Sequence, residues 1–309
     1  VIRLALRVPL ERADVVLAEL IELAPAGVEE VQLDESTVEY AVYGAPGELP
    51  SLPDLRALAG GALVEIATTE LADDWHERWR QFHRPIAVPA PPGGDLGLRV
   101  RPPWEPPDSQ PDRHRIEIVV DPGQAFGTGS HATTRLCLGL LLELHAQESA
   151  GRGGGSPRPV LDVGTGSGVL AIAAAKLGYE PLLGLDNEAE SVVAARENAT
   201  ANGVELEVAR YDLREQPLPW LGQARAAGSQ PAPGEVLVLA NLLRPLLLEL
   251  ERAIARPPAH LIASGLLVAE LDEISSAFAA RHGMSERARR TEGEWGALLL
   301  SSDDAPGAD

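Results

Sequence analysis

Residues 159–176, Pro-Val-Leu-Asp-Val-Gly-Thr-Gly-Ser-Gly-Val-Leu-Ala-Ile-Ala-Ala-Ala-Lys, leave this chain few folds to choose from. Val160 to Val163 reads as a short buried strand, the glycines at 164, 166 and 168 as a tight turn, and the alanine-rich run beyond them as a helix. Without a Cβ, glycine turns sharply and lets the backbone approach a ligand closely. The first N–H groups of the helix lack partners and point back toward the same place. Strand, glycine turn and helix in that order predict a nucleotide-like guest at the carboxyl end of a parallel strand.

The spacing here is G-x-G-x-G, tighter than the G-x-G-x-x-G that cradles a pyrophosphate. An apolar strand from Pro181 to Leu185 follows and ends in Asp186. That is about 20 residues past the glycines, where a carboxylate accepting from two ribose hydroxyls is expected. S-adenosylmethionine has an adenosine and no diphosphate, so it satisfies both halves of the signal. Gly164, Gly166 and Asp186 are therefore candidate cofactor contacts. The absence of a third glycine at the dinucleotide spacing, where Val169 stands, disfavours an NAD-linked oxidoreductase. A non-enzymatic adenosine-binding module is a further reading, and an ordinary turn with a surface aspartate is the plainest one.

Strands and helices alternate from 160 to 300, which predicts an open, mostly parallel sheet with helices on both faces. Ligands in such sheets sit at the carboxyl ends of the strands. Gly164, Asp186, Asp212 and Asn241 all follow predicted strand ends and so converge on one place. An asparagine carbonyl can accept from an amine and aim its lone pair without holding it protonated, as a buried carboxylate would. Asn241 is thus the candidate catalytic residue and a candidate cofactor neighbour, with Leu242 lining the channel; a turn or cap residue is its plain reading. Upstream, residues 121–134 form a glycine-rich loop before a helix predicted from Arg135 to about Leu144. Phe126 is placed to cover the adenosine or methionine part of the cofactor, and Thr134 to bond the methionine part. His131 is expected to fix its own loop, with a catalytic base as the sharper alternative, while Thr133 or Thr134 suits a helix cap.

A net charge of −20 and a pI near 4.7 disfavour direct nucleic-acid binding and favour a basic protein partner. Cys137 is the sole cysteine and lies in an apolar run, so no intrachain disulfide forms and a reducing, cytoplasmic setting is expected. No apolar run is long enough to predict a membrane span. His76 and His83 lack the further ligands a metal needs, and a monomer is expected. Residues 1–69 follow a β-α-β-β-α-β order, with helices over Leu10–Leu23 and Ser51–Leu58, and predict a small ferredoxin-like recognition domain. Residues 70–113 read as an interdomain helix, with Trp75, Trp79 and Phe82 on one face, and a Pro- and Gly-rich connector holding one strand, Leu96 to Arg101. The cofactor domain spans 114–301, with a surface insertion at 217–234 and an acidic, disordered tail at 302–309.

The string Asp121-Pro122-Gly123-Gln124-Ala125-Phe126-Gly127-Thr128-Gly129-Ser130-His131-Ala132-Thr133-Thr134 closely resembles a segment of the ribosomal protein L-11 methyltransferases, the PrmA family. The resemblance continues through Asp162 to Gly168, Gly184 to Asp186, Ala240 to Leu243, Ser264 to Leu267 and Gly293 to Trp295. It also takes in the stretch from Asp74 to Ile86. It implies a class I, Rossmann-like, S-adenosylmethionine-dependent methyltransferase with an N-terminal recognition domain. The implied acceptors are lysine side chains and the N-terminal amine of one large-subunit ribosomal protein. Carried over by motif position, cofactor contacts fall on Thr134, Gly164, Asp186 and Asn241, with Phe126 nearby. Two departures stand out: the stretches at 151–159 and 217–234 look long, and Asn187 stands where an acid or a hydrophobe is common. Residues 1–69 match least, which leaves another protein lysine or a small-molecule amine as the alternative acceptor.

Overall fold

The computed structural model describes residues 2–13, 16, 20, 28–34, 36–44, 65–70, 84–108, 114–122, 131–151, 158–221 and 231–302. Several expectations lie outside those residues: the helix with Trp75, Trp79 and Phe82, the pair His76 and His83, the helix Ser51–Leu58, the loop position of Phe126, the middle of the 217–234 insertion, and the acidic tail beyond 302. The chain divides into two compact units, Val1–Phe82 and His83–Asp309.

In the first unit, strands β1 (Ile2–Pro9), β2 (Glu29–Gln32), β3 (Thr37–Gly44) and β4 (Glu65–Glu70) form an antiparallel sheet in the order β2-β3-β1-β4. That is the order a split β-α-β chain produces. Alternation sets the buried face: Leu4, Leu6 and Val8 stand directly opposite Val42, Tyr40 and Val38. Cross-strand pairs of this kind are the unit of sheet stability. Ala13, Val16 and Leu20, at helical spacing, complete that core.

The second unit opens with a three-stranded sheet, β5 (Ile86–Val88), β6 (Gly97–Arg101) and β7 (Arg115–Val119). The connector was expected to hold a single strand. That strand is β6; the connector gains β5, which pairs with β6 antiparallel, and Glu117 of β7 pairs with both Arg99 and Arg101 across the β6–β7 ladder. The same pairs hold the Glu117 carboxyl below its usual range, against burial that pushes it up.

The main body follows as α1 (Ala132–Gly151), β8 (Val160–Val163), α2 (Val169–Lys176), β9 (Leu182–Asp186), α3 (Ala189–Asn202) and β10 (Glu207–Arg210). It continues through β11 (Leu237–Asn241), α4 (Arg244–Ala253), β12 (His260–Leu267), α5 (Leu271–His282), β13 (Met284–Glu292) and β14 (Trp295–Ser302). The sheet order is β10-β9-β8-β11-β12-β14-β13, parallel from β10 to β12, with β14 antiparallel to both β12 and β13. The order reverses between β8 and β11, the kind of crevice where open α/β sheets bind ligands.

One helix exceeds its expectation at both ends: predicted from Arg135 to about Leu144, it runs from Ala132 to Gly151. Strand parity sorts the core into two layers. Val160, Leu237, Leu239, Ile262 and Leu299 meet Cys137, Leu138 and Leu141 of α1 and Ile172 of α2. Leu161, Val163, Val238, Leu261 and Leu298 meet Leu247 and Leu250 of α4 and Ile274 and Phe278 of α5. Strands buried on both faces read as continuous apolar runs, as β8, β9 and β11 do. Among the described residues no helix is long and apolar enough to cross a membrane.

Candidate active site

The glycine turn begins where β8 stops. Gly164 has φ +72°, and a Cβ there would stand 2.4 Å from Leu242 Cδ2, so only glycine fits. Its N–H and that of Thr165 both donate to Leu185 O, which ties the turn to the end of β9. Gly166 N–H donates to Asp186 Oδ2 at 2.8 Å, and Glu188 N–H to Asp186 Oδ1 at 3.1 Å. A carboxylate has about four acceptor positions, so Asp186 keeps capacity for two more donors. Beside it lies a cavity walled by Leu185, Leu213, Leu242 and Leu246, with Asp186, Tyr211 and Asp212 supplying the polar groups. An apolar slot with an acid at the strand end suits a nucleoside.

A second cluster lies at the end of β11. Asn241 Nδ2 donates to Thr134 Oγ1 at 3.4 Å, and Thr134 is fully buried in the first turn of α1. The Asn241 Oδ1 is buried and has no hydrogen-bond partner. An unmade bond of that kind costs roughly 1–3 kcal/mol, which a donor-bearing ligand would recover. Leu242, the next residue, reaches the cavity beside Asp186, so the two clusters adjoin. The turn is held from below: Leu242 N–H donates to Ser264 O, and Gly265, at φ +84°, passes so close that a Cβ would stand 2.4 Å from Leu242 O.

His131 behaves as a loop-fixing residue. Its Nδ1 lies 2.8 Å from Thr133 Oγ1 and 3.4 Å from Thr133 N, at the start of α1. Burial first, and the Arg135 cation second, push its pKa down, so the ring is neutral at pH 7. The loop preceding it is anchored at its base, where Asn198 and Asn202 of α3 bond the backbone of Asp121 and Val119. Phe126 lies outside the described residues.

Gly164, Gly166 and Asp186 thus share one cluster, and Thr134 and Asn241 the adjoining one. Sequence reasoning passed over Asp162. This aspartate is buried in β8, accepts from Thr165 Oγ1 at 2.7 Å and from Ala171 N–H, and leaves Oδ1 without a partner. Burial raises its pKa to about 7. An acid inside a four-residue, fully buried strand was the available signal. The contact between His131 and Trp295 had none, since 164 positions separate them. Among the described residues no group of His, Cys, Asp and Glu is placed to hold a metal ion.

A doubly wound sheet carrying a glycine turn at its switch point and an acid at the next strand end defines a Rossmann-like methyltransferase of class I. Residues 30–302 match the family described as ribosomal protein L11 methyltransferase (PrmA), and the chain belongs to that family. A ribosomal protein L11 methyltransferase of Geobacter sulfurreducens is 38% identical over 258 residues, 82% of this chain and 75% of that protein. One from Syntrophotalea carbinolica is 36% identical over 94% of each chain. The crystal structure of a ribosomal protein L11 methylase from Lactobacillus delbrueckii subsp. bulgaricus has a TM-score of 0.52 and 31% identity, covering 70% of this chain and 98% of that one.

Proposed function

We propose that the chain transfers methyl groups from S-adenosylmethionine to amino groups, lysine side chains and the N-terminal amine, of a large-subunit ribosomal protein in the cytoplasm. The names of its relatives support the substrate, and the acidic surface suits a basic one. The observation that carries the chemistry is the partnerless Oδ1 of Asn241 beside the glycine turn. Bound S-adenosylmethionine would supply a methyl group already activated by its positive sulfur. The chain's own task is then to hold the amine in line and close. In this reading Asp186 accepts the ribose hydroxyls. Gly164 and Gly166 allow the close approach, Thr134 bonds the methionine part, and Phe126 covers the cofactor. Asn241 Oδ1 accepts an N–H of the incoming amine and aims the nitrogen lone pair. Because the amide is neutral, it does not hold the nitrogen in its unreactive ammonium form.

Two measurements test this. Calorimetric titration with S-adenosylhomocysteine and with NAD is expected to give binding by the first alone. Incubation of large-subunit ribosomal proteins with the chain and methyl-labelled cofactor is expected to label the L11 protein, with added multiples of 14 Da in its mass spectrum. Label on other proteins only, or on none, would overturn the substrate.

A further inference from the structure

The motif Gly293-Glu294-Trp295 has no part in the function as proposed so far. Gly293, at φ +59°, makes the turn of the β13–β14 hairpin with Glu294, and Trp295 opens β14 directly after it. Trp295 packs with Ala297 and Leu299 on the α1 side of the sheet. Asn241 faces the same side, because Leu239 and Leu237, two and four residues before it, belong to that layer. Between the two strands runs β12, where Ser264 pairs with Asn241 and its hydroxyl donates to Gly296 O at 2.9 Å. Across the top, Thr134 bonds Asn241, and His131, one turn earlier, sets its ring edge-on to the Trp295 indole at 4.9 Å and 69°. Contacts and the intervening chain therefore close a ring through Asn241, Ser264, Gly296, Trp295, His131 and Thr134. One member of that ring is the acceptor oxygen without a donor. Another is a half-buried indole, fixed in orientation by a neutral imidazole.

An orphan acceptor linked through Thr134 and His131 to a half-buried indole on the far side of β12 suits an N–H head on a methylene stem. Indole faces pack well on alkyl chains and tolerate a cation on the end. Resting on the function proposed above, we infer that Trp295 determines acceptor specificity. Its indole packs on the stem of a primary alkylamine, lysine-like in length, whose nitrogen sits at Asn241. His131 is a positioning residue that holds the indole.

The test compares Trp295→Phe and Trp295→Leu in the full chain. Loss of an aromatic contact is expected to raise KM for a lysine-bearing protein about tenfold in Trp295→Leu and only about twofold in Trp295→Phe. S-adenosylhomocysteine affinity and thermal midpoint should stay near wild type. Preference for a lysine peptide over its counterpart with 2,4-diaminobutyrate, two methylenes shorter, should shrink in parallel. A second readout needs no turnover: the indole N–H resonance missing from Trp295→Phe should shift when n-butylamine is added to wild-type protein loaded with S-adenosylhomocysteine. Unchanged KM in Trp295→Leu, or a matching loss of cofactor affinity, overturns the inference, as does an indole signal indifferent to the amine. If Trp295→Leu fails to fold, Trp295→Phe and the resonance decide alone. A wild-type chain that methylates no protein amine yet shows the shift would sink the proposed function and leave this inference standing.

Discussion

The two units reach the same net charge by different routes. Residues 1–82 carry 16 acidic and 6 basic side chains, and residues 83–309 carry 30 and 20, so each unit stands at −10. The first does so in about a third of the second's length. Much of the second unit's charge is spent internally. Arg158 meets Glu148, Arg290 meets Glu143, Arg289 meets Glu286 and Asp272, and Arg244 meets Glu270 and Glu273. In the first unit 6 bases face 16 acids, against 20 facing 30 in the second, so a far smaller share of its acids can find a partner. Polar groups that could recognise a small ligand behave the opposite way: the described ones lie in the second unit, at strand ends, where Asn241 and Asp162 keep buried acceptors unused. On the proposed function, the second unit, which pairs many of its charges and leaves two buried acceptors open, would hold the cofactor and the amine, and the first unit's denser acid would attract a basic surface.

The contrast breaks most visibly at Asn241. Asn241→Ala should lower kcat by a hundred- to a thousandfold, the usual scale for one preorganised polar contact, while S-adenosylhomocysteine affinity stays within about threefold. Equal losses in both would reduce Asn241 to a cofactor contact.

Asp162 gives the next effect, on stability. Its carboxyl is raised to about 7 in the folded chain, against an ordinary value near 3.8. Between those values the folded chain binds a proton that the unfolded chain has lost. Stability is therefore fully present below the ordinary value, falls as pH rises through 4 to 7, and levels off above. Three pKa units correspond to roughly 4 kcal/mol as an upper bound. Asp162→Asn keeps an acceptor for Thr165 and should flatten the denaturant midpoint over that window. An unchanged slope would place the titration elsewhere.

Much of this frame was legible in the sequence because backbone constraints are local. A glycine turn after an apolar strand, and acids or amides at strand ends, repeat on the period that also packs the sheet, so Gly164, Asp186 and Asn241 could be read together. β13 could not. It is an edge strand with one partner and a bulge between Glu286 and Ala288, which shifts its alternation halfway. Its sequence, Met-Ser-Glu-Arg-Ala-Arg-Arg-Thr-Glu, therefore shows no clean period of two. The Pro- and Gly-rich connector hid β5 for a different reason: at three residues, Ile86–Val88, it is too short to show a period of two. Trp295 and His131 meet only because the hairpin and the start of α1 converge, which is a property of topology and not of spacing.

Asp186→Ala should weaken S-adenosylhomocysteine binding by well over tenfold, since two ribose hydrogen bonds go at once. The same substitution strips Gly166 N–H and Glu188 N–H of their acceptor, so part of the loss will come from a looser turn. Asp186→Asn separates the two. It keeps an acceptor oxygen for one backbone donor and should fall between wild type and Ala. If Asn matched Ala, charge and not turn geometry would carry the site; if Ala matched wild type, the ribose would lie elsewhere.

The smallest effect probes the surplus acid of the first unit. If that charge attracts the basic substrate, raising ionic strength from about 50 to 500 mM shortens the Debye length from roughly 14 to 4 Å and should raise KM for the ribosomal protein several-fold. The cofactor site depends on buried or short-range contacts, so its affinity should change by less than twofold over the same range. The two responses together are the sharpest form of the contrast. Parallel salt effects on both ligands would mean that the acidic surface acts on the whole molecule without preference. No effect on either would make the first unit's charge a matter of solubility, and any recognition by that unit would then turn on apolar contacts, of which Leu10, Val31 and Leu33 are exposed among the described residues.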